Sequence, residues 1–234
     1  MPPASSAGEG LGALSAGAPV SVEQLPQSAR LRPPADAARP LSAAAKRLLD
    51  LSLSIPLCVL LLPVFLAAAA AIKLDSRGPV FFVQGRRGRG GRLVRVYKFR
   101  SLTHRAADPH ARYEMKPDDP RITRVGDFLR RTSIDELPQL FNVIAGTMSL
   151  VGPRPLVEWE SLASMATHHE RFWVKPGITG LAQVSGRNAI DWNERLEKDV
   201  EYARGWSLAG DLAIILKTPV VLLRGDGIYA GPKK

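Results

Sequence analysis

The sequence predicts an α+β, mainly helical protein: one kinked re-entrant membrane helix, a small β-hairpin, and amphipathic interfacial helices around a cytoplasmic core. Three observations predict it. Leu51–Ile72 is a run of 22 residues without a formal charge. Two short β-rich runs flank a glycine- and arginine-rich connection, and most other patterned segments repeat at helical spacing. The 234 residues carry 32 Lys and Arg against 22 Asp and Glu, a net charge of +10. That balance favours anionic partners, whether nucleic acid, anionic lipid or phosphorylated substrates.

Residues 1–45 are rich in Ala, Pro, Gly and Ser and poor in large hydrophobic side chains. They lack the charged start, apolar stretch and cleavage site of a signal peptide and read as a disordered tail. Residues 46–74 form the membrane segment. As a straight helix its apolar run would be about 33 Å long, enough for a bilayer core of about 30 Å. Pro63 divides the run into arms too short to span, because it removes a helix hydrogen bond and clashes with the preceding turn. Pro56 is a second weak point. Lys46 and Arg47 precede the segment, and Lys73, Arg77, Arg86, Arg87, Arg89 and Arg92 follow it. Basic flanks mark the cytoplasmic side, so basic residues at both ends predict a helix that enters, bends at Pro63 and returns. A spanning helix and a buried core helix are the alternatives. Cys58, the single cysteine, cannot form an internal disulfide and reads as a small buried hydrophobe.

Residues 75–224 form the remaining domain, and 225–234 a C-terminal tail. Pro79–Gln84 and Leu93–Phe99 read as strands of a hairpin joined by Gly85–Gly91. Between Asp75 and Asp108 stand nine Lys or Arg residues and no acid, a surface suited to anionic lipid. The glycines match neither a P-loop nor a Rossmann fingerprint, and no aromatic residue interrupts the loop to stack on bases. Leu137, Leu140, Phe141 and Ile144 recur at helical spacing, predicting an amphipathic helix that Gly152-Pro-Arg-Pro155 ends. Trp192–Tyr202 reads as a charged helix. Leu208–Leu223 is apolar and broken at Pro219, and fits either core or membrane interface. His168, His169 and Glu170 lack a further ligand set for a zinc site, and the two histidines read as surface residues.

Asp135 and Glu136 admit two accounts. Asp135 is a helix N-cap with Glu136 in the first turn, or Ser133 and Glu136 form a capping box. Alternatively a carboxylate attacks phosphorus while a divalent ion and arginines neutralise a diphosphate. Asp135, Glu136, Arg131 and Arg154 supply those groups within 24 residues, and Mg²⁺, a hard ion, suits oxygen ligands.

An ordered set of blocks carries a resemblance: Lys46-Arg47-Leu-Leu-Asp50 before an apolar segment with Pro63, Tyr97-Lys-Phe-Arg-Ser101, Asp135-Glu-Leu-Pro-Gln-Leu-Phe-Asn-Val143, Val151-Gly-Pro-Arg-Pro155, and Lys175-Pro-Gly-Ile-Thr-Gly-Leu-Ala-Gln-Val-Ser-Gly-Arg-Asn188. Over roughly residues 45–224 the chain resembles the bacterial sugar transferases known as small monotopic phosphoglycosyl transferases. The resemblance implies a cytoplasmic catalytic core on the bacterial inner membrane. There an aspartate attacks the β-phosphate of a UDP-sugar, releases UMP and holds a phosphosugar that a polyprenol phosphate (undecaprenyl phosphate) then takes, as the first membrane step of glycoconjugate or exopolysaccharide synthesis. It implies Mg²⁺ as cofactor, bound at Asp135, with Asp135 as nucleophile and Glu136 as its catalytic partner. Lys98, Arg131 and Arg154 fall at phosphate-binding positions, and Gln183, Arg187 and Asn188 at substrate-binding ones. UDP-sugar, polyprenol phosphate, the inner membrane and other enzymes of the glycan pathway are the implied partners, and nucleic acid is not. The family often has Ser before the proline of its membrane helix; Leu62 stands there in this chain, which predicts a shallower kink. The competing function is a membrane-anchored basic protein that binds lipid or nucleic acid, in which the acidic pair merely caps a helix.

Overall fold

The apolar segment folds as two helices, α1 (Pro40–Leu60) and α2 (Leu62–Asp75), bent by 58° at Leu61 in the computed structural model, which describes residues 40–103 and 119–224. Residues 1–39 and 225–234, most of the two expected tails, lie outside the described residues. Residues 40–45, expected in the tail, instead form the first turns of α1. Pro63 stands in the first turn of α2, where its missing N–H leaves no bond of that helix unmade. It starts the second arm, and the ladder resumes with Phe65 N–H donating to the Leu61 carbonyl at 2.9 Å. Pro56 lies inside α1 without breaking it. No single helix among the described residues is long and apolar enough to cross a membrane, although the bent pair together passes that test.

Both ends of this pair are bonded into one body. On the α1 side Lys46 Nζ donates to the Asp211 carboxylate at 2.6 Å and to the Val151 carbonyl at 3.1 Å. Arg47 donates to the Val143 and Ile144 carbonyls at 2.6 and 2.7 Å. Asp50 accepts from Ser149 Oγ and Leu150 N–H, both at 2.9 Å. On the α2 side Arg100 donates to the carbonyl of Ile72 in the last turn and to those of Ser76 and Arg77 just beyond it. Asp75 accepts from Val125 N–H at 3.1 Å.

The hairpin pairs β1 (Phe81–Arg87) with β2 (Leu93–Phe99) antiparallel, Phe81 opposite Phe99 and Arg87 opposite Leu93. The ladder thus runs through Gly85, Arg86 and Arg87, residues expected in the connection, which shrinks to Gly88–Arg92. Gly90 and Gly91 take positive φ there, which makes so tight a turn possible. Phe65, Ile72, Phe99 and Leu129 form one buried cluster that joins α2 to β2 and to α3 (Arg124–Arg131). Each such side chain contributes about 1.5–3 kcal/mol on burial.

After α3 comes a 3-10 turn, Ile134–Glu136, then α4 (Gln139–Ile144), β3 (Ser149–Val151), α5 (Glu158–Thr167), β4 (Gly177–Thr179), α6 (Leu181–Val184), α7 (Trp192–Arg204) and α8 (Leu208–Arg224). The helix expected after Glu136 is only six residues long. It ends at Ala145 because Gly146 takes φ +80°, well before Gly152. β3 and β4 form a short parallel pair that three-residue runs give no periodicity to announce. Pro219 does not break α8; Thr218 Oγ1 donates to the Ile214 carbonyl beside the gap that the proline leaves. Glu170 is buried and pairs with Arg204.

Candidate active site

The turn that carries the acidic pair is set by what precedes it. α3 is capped by Thr123, whose hydroxyl accepts from Gly126 N–H at 2.9 Å. It stops at Thr132, and Ser133 then takes a left-handed conformation, φ 57° and ψ 17°. That conformation costs about 1–2 kcal/mol for a residue with a Cβ, so the packing around it holds it in place. Asp135 and Glu136 follow inside the 3-10 turn. Neither capping arrangement considered from the sequence forms: Ser133 makes no side-chain cap bond, and Asp135 lies within the turn rather than at its start.

The two carboxylates have opposite environments. Glu136 accepts from Lys98 Nζ at 2.8 Å and from Arg154 at 2.8 and 3.2 Å, so both its oxygens are engaged. Burial alone would raise its pKa, but Arg154 and Lys98 hold it well below the usual carboxylate range. Burial lowers the pKa of Lys98, opposed by the Glu136 charge. Asp135 is 9% exposed, and none of the hydrogen bonds or ion pairs among the described residues engages its carboxylate. Burial pushes its pKa up to about 6, opposed by Lys98 and reinforced by Glu136. One acid is therefore a fixed counter-ion, and its neighbour is a buried carboxylate whose lone pairs are free to react.

Arg154 is placed by a loop whose backbone is bonded at nearly every residue. Lys46 and Tyr202 donate to the Val151 carbonyl, and Gly152 N–H donates to Thr179. Gly177 N–H donates to the Pro153 carbonyl, Arg171 to Arg154 at 2.7 Å, and Arg86 to Pro155 at 2.8 Å. A Cβ on Gly152 would stand 2.3 Å from the Lys175 carbonyl oxygen, so only glycine lets the loop lie this close to the β4 segment. Arg171 is itself fixed by a buried ion pair with Asp199 at 2.6 Å. Arg86, Arg171 and Asp199 went unrecognised in the sequence because their partners are backbone carbonyls and one acid 28 residues away.

The remaining sequence-derived residues divide. Arg187 joins the cluster, donating from Nη2 to Ser133 Oγ at 3.1 Å. Burial lowers its pKa, Arg154 adds to that, and Glu136 and Asp135 oppose it. Gln183 lies beside Gly180 and the Gly152 loop, its amide buried without a hydrogen-bond partner among the described residues. Arg131 is not brought to the pair: it bonds Asp127 one turn back on α3 at 2.8 Å, with its side chain largely exposed. Arg130, its neighbour, acts on Asp135 instead. Asn188 is exposed and accepts from Arg195 at 3.1 Å. Among the described residues no group of three or more His, Cys, Asp or Glu side chains converges as a metal site. Of the paired acids only Asp135 keeps its oxygens available, which fits a hard ion that takes one carboxylate and completes its shell with phosphate oxygens and water.

The chain is similar to known proteins over most of its length. A UDP-glucose:undecaprenyl-phosphate glucose-1-phosphate transferase of Caulobacter vibrioides is 41% identical over 219 residues, covering 90% of this chain and 82% of the relative. An uncharacterized sugar transferase of Bacillus subtilis is 43% identical over 186 residues, 78% of this chain and 89% of the relative. An undecaprenyl-phosphate galactose phosphotransferase of Salmonella typhimurium is 43% identical over 198 residues, 79% of this chain. The chain spans only 41% of that last relative's length. Residues 41–225 match the bacterial sugar transferase family, and the chain belongs to that family.

Proposed function

We propose that this chain transfers a sugar-1-phosphate from a UDP-sugar to a polyprenol phosphate such as undecaprenyl phosphate through a covalent intermediate on Asp135. The observation that carries the reading is the asymmetry of the pair: Glu136 is spent on Lys98 and Arg154, whereas Asp135 is buried and unpartnered. An Asp135 oxygen attacks the β-phosphorus, the bond from that phosphorus to the bridging oxygen breaks, and UMP leaves with the electron pair. An oxygen of the polyprenol phosphate then attacks the same phosphorus, and Asp135 departs as a carboxylate. No proton has to move in either displacement. Lys98, Arg154 and Arg187 bind and orient the diphosphate and offset its charge, which is most of what phosphoryl transfer asks of a protein. Glu136 keeps Lys98 and Arg154 charged and aimed. Mg²⁺ would be held by Asp135 together with substrate oxygens, and would supply charge neutralisation at the phosphates.

The membrane reading belongs to the same proposal. α1 and α2 form a re-entrant hairpin that returns to the cytoplasmic face of the inner membrane. Support comes from the anchoring of both ends in one body, since a spanning helix would separate them by about 30 Å of hydrocarbon. Apolar side chains are exposed around the bend, with Val59 69% and Leu60 74% exposed. Leu212, Leu216, Val220 and Leu223 add a second exposed apolar row on α8, suited to the interface.

The activity is tested by measuring UMP release from a panel of UDP-sugars with undecaprenyl phosphate and Mg²⁺ present. Turnover of at least one sugar is expected, and none across a broad panel would sink the transferase reading. Topology is tested by labelling Pro40→Cys and Val80→Cys, each in a Cys58→Ser background, in intact spheroplasts. Both sites should resist an impermeant reagent; labelling of one alone would restore a spanning helix.

A further inference from the structure

Ser133 (φ 57°) and Arg187 (φ 55°) are the two residues other than glycine that take a left-handed backbone conformation among the described residues, and they touch each other. Such conformations are uncommon for side-chain-bearing residues, and those held by their surroundings cluster where a site needs them. The two come from distant segments. Ser133 opens the turn that carries Asp135, and Arg187 opens the 3-10 turn after Gly186. Arg187 Nη2 donates to Ser133 Oγ at 3.1 Å. Its other terminal nitrogen, Nη1, is buried and has no hydrogen-bond partner among the described residues. A guanidinium stays charged and carries donors in a fixed fork, and a buried donor left unmet is rare in a contact that serves folding alone. The acids nearest it in charge, Glu136 and Asp135, make no hydrogen bond to it, while Glu136 is already held by Lys98 and Arg154. Arg187 therefore brings into the site a positive charge that no carboxylate there bonds.

We propose that Arg187 works with both ends of its fork: Nη1 takes an oxygen of the substrate diphosphate while Nη2 holds Ser133 Oγ, so that capture of the substrate fixes the turn that aims Asp135. This rests on the transferase reading above and gives each residue a distinct part. Arg187 binds substrate. Ser133 touches none of it and is a positioning residue, acting through the turn on Asp135. The left-handed backbone at both positions is what turns the two side chains toward each other across the site.

Glycine adopts the left-handed region freely, so Ser133→Gly deletes the hydroxyl while keeping the turn. If the serine served the backbone alone, Ser133→Gly would be neutral or stabilising. The test is steady-state UMP release from a UDP-sugar that the wild type turns over, with thermal unfolding measured in parallel. Ser133→Gly should leave KM within about twofold and lower kcat by about tenfold to a hundredfold, as a small misplacement of a reacting group does, with Tm unchanged or raised. Arg187→Gln should raise KM by about tenfold or more, through loss of a charge-assisted bond, and lower kcat similarly. Adding Ser133→Gly to Arg187→Gln should then lower kcat no further. Wild-type kcat in Ser133→Gly, or kcat losses that multiply in the double variant, would overturn the proposal. Absence of UMP release from the wild type would instead overturn the transferase reading, and this proposal with it.

Discussion

Asp135→Asn removes a buried charge whose burial outweighs the pull of Lys98 and Arg130. The carboxylate is buried, bonded to no neighbour, and its pKa rises from 3.8 to about 6. A raised carboxylate pKa means that the folded state binds the proton more tightly than the unfolded state. The stability from this group is therefore fully present below about pH 4 and is lost as pH rises through about 6. A difference of about two pKa units at ~1.36 kcal/mol each gives about 3 kcal/mol. Asn keeps the shape and carries no charge, so the variant escapes that loss. For a chain of this size, about 3 kcal/mol corresponds to a Tm rise of about 6–12 °C at about pH 8, shrinking to a degree or two near pH 4. The assay is thermal unfolding of wild type and Asp135→Asn in the same lipid nanodisc at both pH values. A variant less stable than wild type at the higher pH, or a Tm difference that does not change with pH, would refute the view that burial outweighs the cations around Asp135.

Glu136→Gln should shift the acid limb of the UMP-release profile, expected near pH 6 in the wild type, to lower pH. It removes a neighbouring negative charge and frees Lys98 and Arg154 to pair with Asp135; a pH–rate series checks the direction, and kcat should fall because the nucleophile becomes ion-paired. Asp199→Asn leaves Arg171 buried without its counter-ion and should destabilise the protein by about 3–5 kcal/mol. Because Arg171 also holds the Arg154 carbonyl, KM for the UDP-sugar should rise, which steady-state kinetics on the folded fraction would read. Gly126→Ala would place a Cβ 2.0 Å from the Ser101 carbonyl oxygen. Pushing α3 away should cost about 1–3 kcal/mol or more, seen as a lowered midpoint in chemical unfolding.

The parts of the fold legible in the sequence were those with a local signal. The bend near Pro63, the hairpin strands and the charged helix α7 follow from proline chemistry and from apolar patterning. The hairpin tip is not legible in the sequence because Gly85, Arg86 and Arg87 look like a loop. They are held in the ladder by a long-range contact, Arg86 to the Pro155 carbonyl, that periodicity cannot register. The parallel pair β3–β4 was invisible for the same reason. In the site, Lys98 and Arg154 were found by type and motif, and the structure joins them through Glu136. Motif position alone points to Arg131 rather than Arg130. The helix phase of α3 decides otherwise, pointing Arg131 back to Asp127 and leaving Arg130 to act on Asp135. The division of labour between Asp135 and Glu136 was not legible, since adjacent carboxylates in a sequence differ only once their partners are known.

In the proposed reaction Asp135, not Glu136, becomes covalently bonded to phosphorus. Intact-protein mass spectrometry after incubation with a UDP-sugar and Mg²⁺, without polyprenol phosphate, tests it directly. A phosphosugar adduct that maps to Asp135 is expected on the wild type, a slower but detectable adduct on Glu136→Gln, and none on Asp135→Asn. An adduct of undiminished yield on Asp135→Asn, or one that maps to Glu136, would contradict it.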